Sequence, residues 1–184
     1  MKKTLSLFLC ILLLLLAGCS SGEIRWAEIP ISVRDAETDR PASGEVMAMA
    51  FALDVPLGGL SMQFEPTGED SEITVELYKA KENYEETLKS TPKRKETFKN
   101  PAENMIWQFR TLPAGSYLLV FSDAKNVNVL KSVVPSQQAN GRTVHYKDGT
   151  VVTDGLFTIT LMCIQAEEER TYELLPFSYP TPEE

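Results

Sequence analysis

The side chains with which this 184-residue chain could do chemistry are one histidine, three cysteines and 26 carboxylates. His145 would need a nucleophile and an acid to form a hydrolytic triad. The chain contains no Gly-x-Ser-x-Gly turn to lift a serine out of a sheet. Zinc requires clustered His and Cys ligands, and a single His beside scattered Cys does not make a tetrahedral set. Cys163 is a candidate thiol, but it shares an alternating row with Phe157, Ile159 and Leu161 and reads as a small packed hydrophobe. Paired carboxylates would allow glycosidase chemistry. Glu69, Asp70 and Glu72 cluster at one turn and Glu167, Glu168 and Glu169 near another, in the manner of solvated turns. No run resembles a calcium loop and no glycine-rich loop is shaped to cradle phosphate. These residues predict no catalytic set, no metal and no cofactor, with His145 as an exposed or half-buried strand residue.

Charge is the uneven property. The formal net charge is −8. Residues 1–18 hold only Lys2 and Lys3, so the remaining 166 residues carry 16 basic and 26 acidic side chains, net −10. That balance argues against nucleic acid, whose phosphates need a basic face. Within it, residues 79–99 hold seven basic and four acidic side chains, net +3. Lys89, Lys93, Arg94, Lys95 and Lys99 gather around Pro92. The segment reads either as a solvated loop or as an electrostatic contact for anionic headgroups or an acidic partner.

The N-terminus specifies a compartment. After Lys2-Lys3, the eleven residues from Leu7 to Ala17 contain no polar side chain. Eleven is too few for a mature transmembrane helix, which needs about 20, and fits the apolar centre of a secretory signal. The exit Leu16-Ala17-Gly18-Cys19 resembles the bacterial lipoprotein lipobox. That resemblance implies a signal peptide over 1–18, lipid attachment at Cys19 and a tether over 19–27. It also implies a protein held in the bacterial cell envelope through acyl chains. Ser20 is permissive for the outer membrane under the usual proteobacterial sorting rule. With Cys10 removed and Cys19 acylated, Cys163 is left without a disulfide partner.

The elements that must position these groups read as strands. Apolar residues alternate along Ile29–Val33, Met47–Leu53, Leu60–Phe64, Ile73–Leu77, Trp107–Phe109 and Phe157–Cys163, and Tyr117–Phe121 is apolar on both faces. A last strand is expected over Thr171–Phe177. Turn signals separate the runs: Pro56-Leu57-Gly58-Gly59, Pro66-Thr67-Gly68, Pro113-Ala114-Gly115, Asn140-Gly141 and Asp148-Gly149. Val144–Val152 around Asp148-Gly149 is the best hairpin. Glu82–Lys89 is the one stretch with a short helical pattern. The fold class is therefore all-β, an antiparallel β-sandwich over 28–177, immunoglobulin-like or transthyretin-like, followed by a proline-rich extended tail over 178–184. The tail either frays or lies in a groove.

A longer run sharpens the sandwich. Trp107-Gln108-Phe109-Arg110-Thr111-Leu112-Pro113-Ala114-Gly115-Ser116-Tyr117-Leu118-Leu119-Val120 resembles the closing half of a prealbumin-like domain, the group that includes carboxypeptidase regulatory-like and collagen-adhesin B-type modules. The run Ile31-Ser32-Val33-Arg34-Asp35-Ala36-Glu37-Thr38-Asp39-Arg40-Pro41 is similar to their first strand and turn, with Asp39 where the turn glycine usually stands. The resemblance implies Tyr117 facing the core, Ile73–Tyr78 as an earlier strand and 79–99 as a long connection. Such folds host many roles. The leading expectation is an envelope lipoprotein whose sandwich is a non-enzymatic accessory or protein-binding module. The alternative is a surface adhesin or carbohydrate-binding lipoprotein, with Trp26 as an exposed aromatic. A carboxylate-based degradative enzyme and a secretion-system lipoprotein also fit. The partners expected are the membrane, through Cys19, and an envelope protein or glycan.

Overall fold

The computed structural model describes residues 25–32, 37–39, 45–132, 135–137, 139–153, 156–165 and 172–180, with only the backbone described at 37–39 and 156. The expected signal segment, Cys19, most of the expected tether and the Glu167–Glu169 cluster lie outside the described residues.

Among the described residues, fourteen strands and one short helix follow one another. The strands are β1 (Trp26–Pro30), β2 (Glu37–Asp39), β3 (Met47–Leu53), β4 (Leu57–Pro66), β5 (Glu72–Lys79), β6 (Arg94–Lys99) and β7 (Asn104–Leu112). They continue with β8 (Gly115–Lys125), β9 (Val127–Ser132), β10 (Val144–Lys147), β11 (Thr150–Val152), β12 (Leu156–Phe157), β13 (Ile159–Ile164) and β14 (Leu174–Leu175). The helix α1 (Tyr84–Lys89) lies between β5 and β6.

All the strand pairs are antiparallel and they form two sheets. Sheet 1 runs β1-β13-β4-β9-β12, with β7 against β4 and β2 against β9. Sheet 2 runs β11-β10-β3-β8-β5-β6, with β14 against β3. The protein is an all-β sandwich, as the alternation predicts.

Period-two burial makes the core. Sheet 2 contributes Met47, Met49, Phe51 and Leu53, with Tyr117, Leu119 and Phe121 beside them. Sheet 1 answers with Ile29, Leu60, Met62, Phe64, Leu161 and Cys163. Aromatic rings lock the sheets together, with Phe121 edge-on to Phe64 at 6.2 Å and to Phe157 at 5.2 Å.

Several local expectations change. Leu57-Gly58-Gly59 is not a turn: it lies inside β4, where the register slips between Leu57 and Gly59. A β-carbon at Gly58 would stand 2.5 Å from the Trp26 indole, so the missing side chain lets that ring close against the strand. Glu37–Asp39, expected to lead into the turn after the first strand, is itself a strand paired with β9; Val33–Ala36, Arg40 and Pro41 lie outside the described residues. Among the described residues, the final strand spans only Leu174–Leu175 of the Thr171–Phe177 expected, with Thr171 outside the described residues. Residues 79–99 are not one long connection, because they contain α1 and the edge strand β6. Asp148 and Gly149, at φ 48° and 78°, make the tight reversal between β10 and β11.

Candidate docking surface

The usual outer face of an antiparallel sheet is polar. The outer face of sheet 2 departs from that. Inward-facing Met47, Met49, Phe51 and Leu53 alternate with Ala48, Ala50 and Ala52, which face outward. Register sets the neighbours: Ala48 lies between Val120 and Tyr146, and Ala50 between Leu118 and Val144. Tyr78 lies opposite Leu118 on the far side. Small side chains down the middle and large ones on the flanks make a shallow trough. Its floor of Ala48, Ala50, Leu118 and Val120 is buried.

Two segments cover the trough. Asn83 caps α1 by accepting from the Glu86 backbone N–H at 2.9 Å, so a six-residue helix forms just after β5. The i, i+4 pair Tyr84 and Leu88 then points at the sheet. Tyr84 stacks on Tyr146 with ring centroids 4.6 Å apart. The second cover is the tail: Phe177 and Tyr179 pack on the same cluster, and the Tyr179 hydroxyl donates to the Tyr146 hydroxyl at 3.0 Å. Burial, reinforced by that bond, pushes the Tyr179 phenol up. Burial also raises Tyr84, with the Asp148 charge adding to it. Of the tail expected over 178–184, residues 178–180 are described, and there Tyr179 lies on this face; 181–184 lie outside the described residues. Beside Tyr84 an open depression of ≈ 570 Å³ is lined by Val46, Leu88, Glu85, Asp148 and Gly149.

The five basic residues singled out by sequence spread over α1, the α1–β6 loop and β6. Lys89 pairs with Glu86 at 2.8 Å within α1. Lys95 pairs with Glu76 across the β5–β6 ladder at 2.8 Å. Arg94 turns toward sheet 1: its guanidinium donates to the Arg110 carbonyl and lies 5.7 Å above the Phe109 ring. Phe98, on the same side of β6, meets Trp107 edge-on at 6.0 Å, which closes this flank of the sandwich. Lys93 and Lys99 are exposed. β6 ends the strand order of sheet 2, and lysines on an edge strand oppose pairing with another chain. The basic run is therefore a charged flank: Lys89 and Lys95 make surface ion pairs, Arg94 reaches sheet 1, and Lys93 and Lys99 stay exposed.

The remaining chemical candidates are accounted for by packing. His145 is buried, not exposed or half-buried as the sequence suggested. It lies opposite Met49, and its ring centroid is 5.2 Å from that of Phe157 in the other sheet. Nε2 bonds the Thr143 hydroxyl at 3.1 Å, and Nδ1 is buried with no partner. Burial, with the Lys131 charge adding to it, lowers its pKa to about 4. Cys163 is fully buried, and burial raises its thiol to about 12, far from the thiolate a nucleophile needs. Glu69 and Asp70 are exposed at the β4–β5 turn. Among the described residues, no group of three or more His, Cys, Asp or Glu is placed to hold a metal ion.

Sequence reading missed the trough. The outward Ala48-x-Ala50-x-Ala52 row was visible as the far face of a strand, but its floor is completed by β8 and its walls come from β5 and β10. Trp107 is buried, as its alternation suggested. Trp26 is half-buried on the outer face of sheet 1. The chain matches no family model, no curated protein and no solved structure.

Proposed function

We propose that this chain is a bacterial envelope lipoprotein, acylated at Cys19, whose sandwich is a non-enzymatic protein-binding module. The observation that carries the reading is the apolar, tyrosine-walled outer face of sheet 2 in a chain whose leader ends in a lipobox. A lipid anchor supplies position, and an apolar trough supplies a place for a partner to bury side chains. The prealbumin-like resemblance of Trp107–Val120 fits this role. β7 ends at Leu112, Pro113-Ala114 crosses between the sheets, and Tyr117 enters β8 facing the core. Its hydroxyl donates back to the Pro113 carbonyl and pins the crossover. The exposed cations Lys93 and Lys99 lie at the edge of the same sheet and suit an acidic partner or anionic headgroups.

The test has two arms. Metabolic labelling with a palmitate analogue should mark the wild-type chain and leave Cys19→Ala unmarked. Photo-crosslinking from the β6 edge and the trough rim in intact cells should capture a discrete envelope protein. Labelling of the Cys19→Ala variant removes the anchor, and crosslinks only to glycan remove the protein-binding reading. A carbohydrate-binding role is favoured by one specific feature: Trp26 shares the outer face of sheet 1 with exposed Gln108 and Arg110. Retention on a glycan array that Trp26→Ala abolishes would establish it in place of the protein-binding role.

A further inference from the structure

The trough already holds a ligand of sorts, and that ligand belongs to the chain itself. β14 pairs with β3 through Leu174 and Leu175, and there the backbone ladder stops. Among the described residues, none from 176 to 180 makes a backbone–backbone hydrogen bond. Pro176 and Pro180 have no N–H to offer and hold the chain extended. Period-two geometry then turns the Phe177 and Tyr179 rings toward the sheet and leaves Ser178 exposed. Two half-buried rings and one phenol–phenol bond are what fasten this segment to the face. They pack on the cluster that holds Ala48, Ala50, Leu118 and Val120, and lifting them would strip away the part of its cover that α1 does not supply.

A face built this way requires an occupant, yet its present occupant is attached by side chains alone. We propose that Pro176–Pro180 is a displaceable strap over a peptide-binding trough. The partner is an extended segment of an envelope protein with the same chemistry, two aromatic residues two positions apart and bracketed by prolines. This rests on the binding-module reading and names its ligand class. Rigid extended peptides with proline lose little entropy on docking, and aromatic-lined grooves are their usual receptors. The strap competes from a tethered position, so a free peptide sees only the fraction of molecules whose trough is open. If that fraction is below about one tenth, unseating the strap raises apparent affinity at least about tenfold.

The probe is a fluorescein-labelled peptide of residues 175–182, Leu-Pro-Phe-Ser-Tyr-Pro-Thr-Pro, titrated by anisotropy against the detergent-solubilised full chain. The double variant Phe177→Ser/Tyr179→Ser keeps the chain length and removes the strap's rings. It should bind at least about tenfold more tightly than wild type, and adding Tyr146→Phe, which shortens the trough wall by one hydroxyl, should weaken binding again. Folding of each variant is read by protection of Cys163 from a thiol reagent. A folded double variant that binds no more tightly than wild type overturns the strap. Loss of Cys163 protection in the double variant also overturns it, because the segment would then be part of the core structure. The binding-module reading fails separately: tight peptide binding with no envelope protein crosslinked in cells leaves the trough standing and removes the partner.

Discussion

Removing the imidazole of His145 should change how stability depends on pH, with a sign and size that follow from its surroundings. The ring lies between the sheets, against Phe157 and opposite Met49, with Nδ1 unpartnered. Its folded pKa is lowered from 6.5 to about 4. The unfolded chain therefore takes up a proton near pH 6.5, and the folded chain resists until about pH 4. Over that interval the unfolded state binds more protons, so stability falls as pH falls and levels off below about 4. Linkage gives a loss of about 2 kcal/mol between pH 7.5 and pH 5, and about 3 kcal/mol by pH 4. The assay is urea unfolding followed by tryptophan fluorescence, for wild type and His145→Leu at each pH. Carboxylates titrate in both proteins, so the difference between them isolates the histidine. At a slope of about 2 kcal/mol per molar, the wild-type midpoint should drop by about 1 M more than that of the variant between pH 7.5 and pH 5. Parallel pH curves for the two proteins would refute the buried, neutral histidine.

Three further outcomes follow from the packing. Cys163, fully buried with its thiol raised to about 12, should react with a thiol reagent only on the timescale of unfolding, and rapid stoichiometric labelling of native protein would contradict its place in the core. Gly58→Ala puts a methyl group 2.5 Å from the Trp26 ring, so it should displace the indole and cost about 1–3 kcal/mol of stability, read by denaturation and by a red shift in the Trp26 emission of a Trp107→Phe background. Tyr117→Phe removes the bond to the Pro113 carbonyl and should cost about 1 kcal/mol in urea unfolding, whereas an unchanged midpoint would mean that this hydroxyl does not pin the crossover.

Much of the fold was legible because burial in a sandwich has period two. The inward rows of β5 and β13 stand in the sequence as alternating apolar residues, β3 alternates large with small, β8 reads as a central strand apolar on both faces, and the Asp148-Gly149 hairpin is local chemistry. What failed was non-local. Gly58-Gly59 has the composition of a turn, but the glycines serve a strand over which Trp26 must lie. Glu37-Thr38-Asp39 has no apolar residue, and becomes a strand because β9 offers it a partner. The basic run around Pro92 looked like a loop because edge strands carry charge where central strands carry apolar residues. His145 looked exposed or half-buried because nothing in its neighbours announces that Phe157, twelve residues on, closes over it.

The sequence by itself determined the class of fold and the acidic balance with its basic interruption, and it carries the Leu16–Cys19 run on which the proposed lipid attachment rests. These follow from patterns a few residues long: alternation, turn dipeptides and a signal read linearly. Only the tertiary structure decided that the alanine face of β3 is a trough, since its walls, floor and cover come from β10, β8, β5, α1 and the tail. No local pattern encodes that meeting. It arises because strand register aligns Ala48 with Val120 and Tyr146, and because two aromatic rings on a proline-stiffened tail are long enough to fill the space that alanines leave.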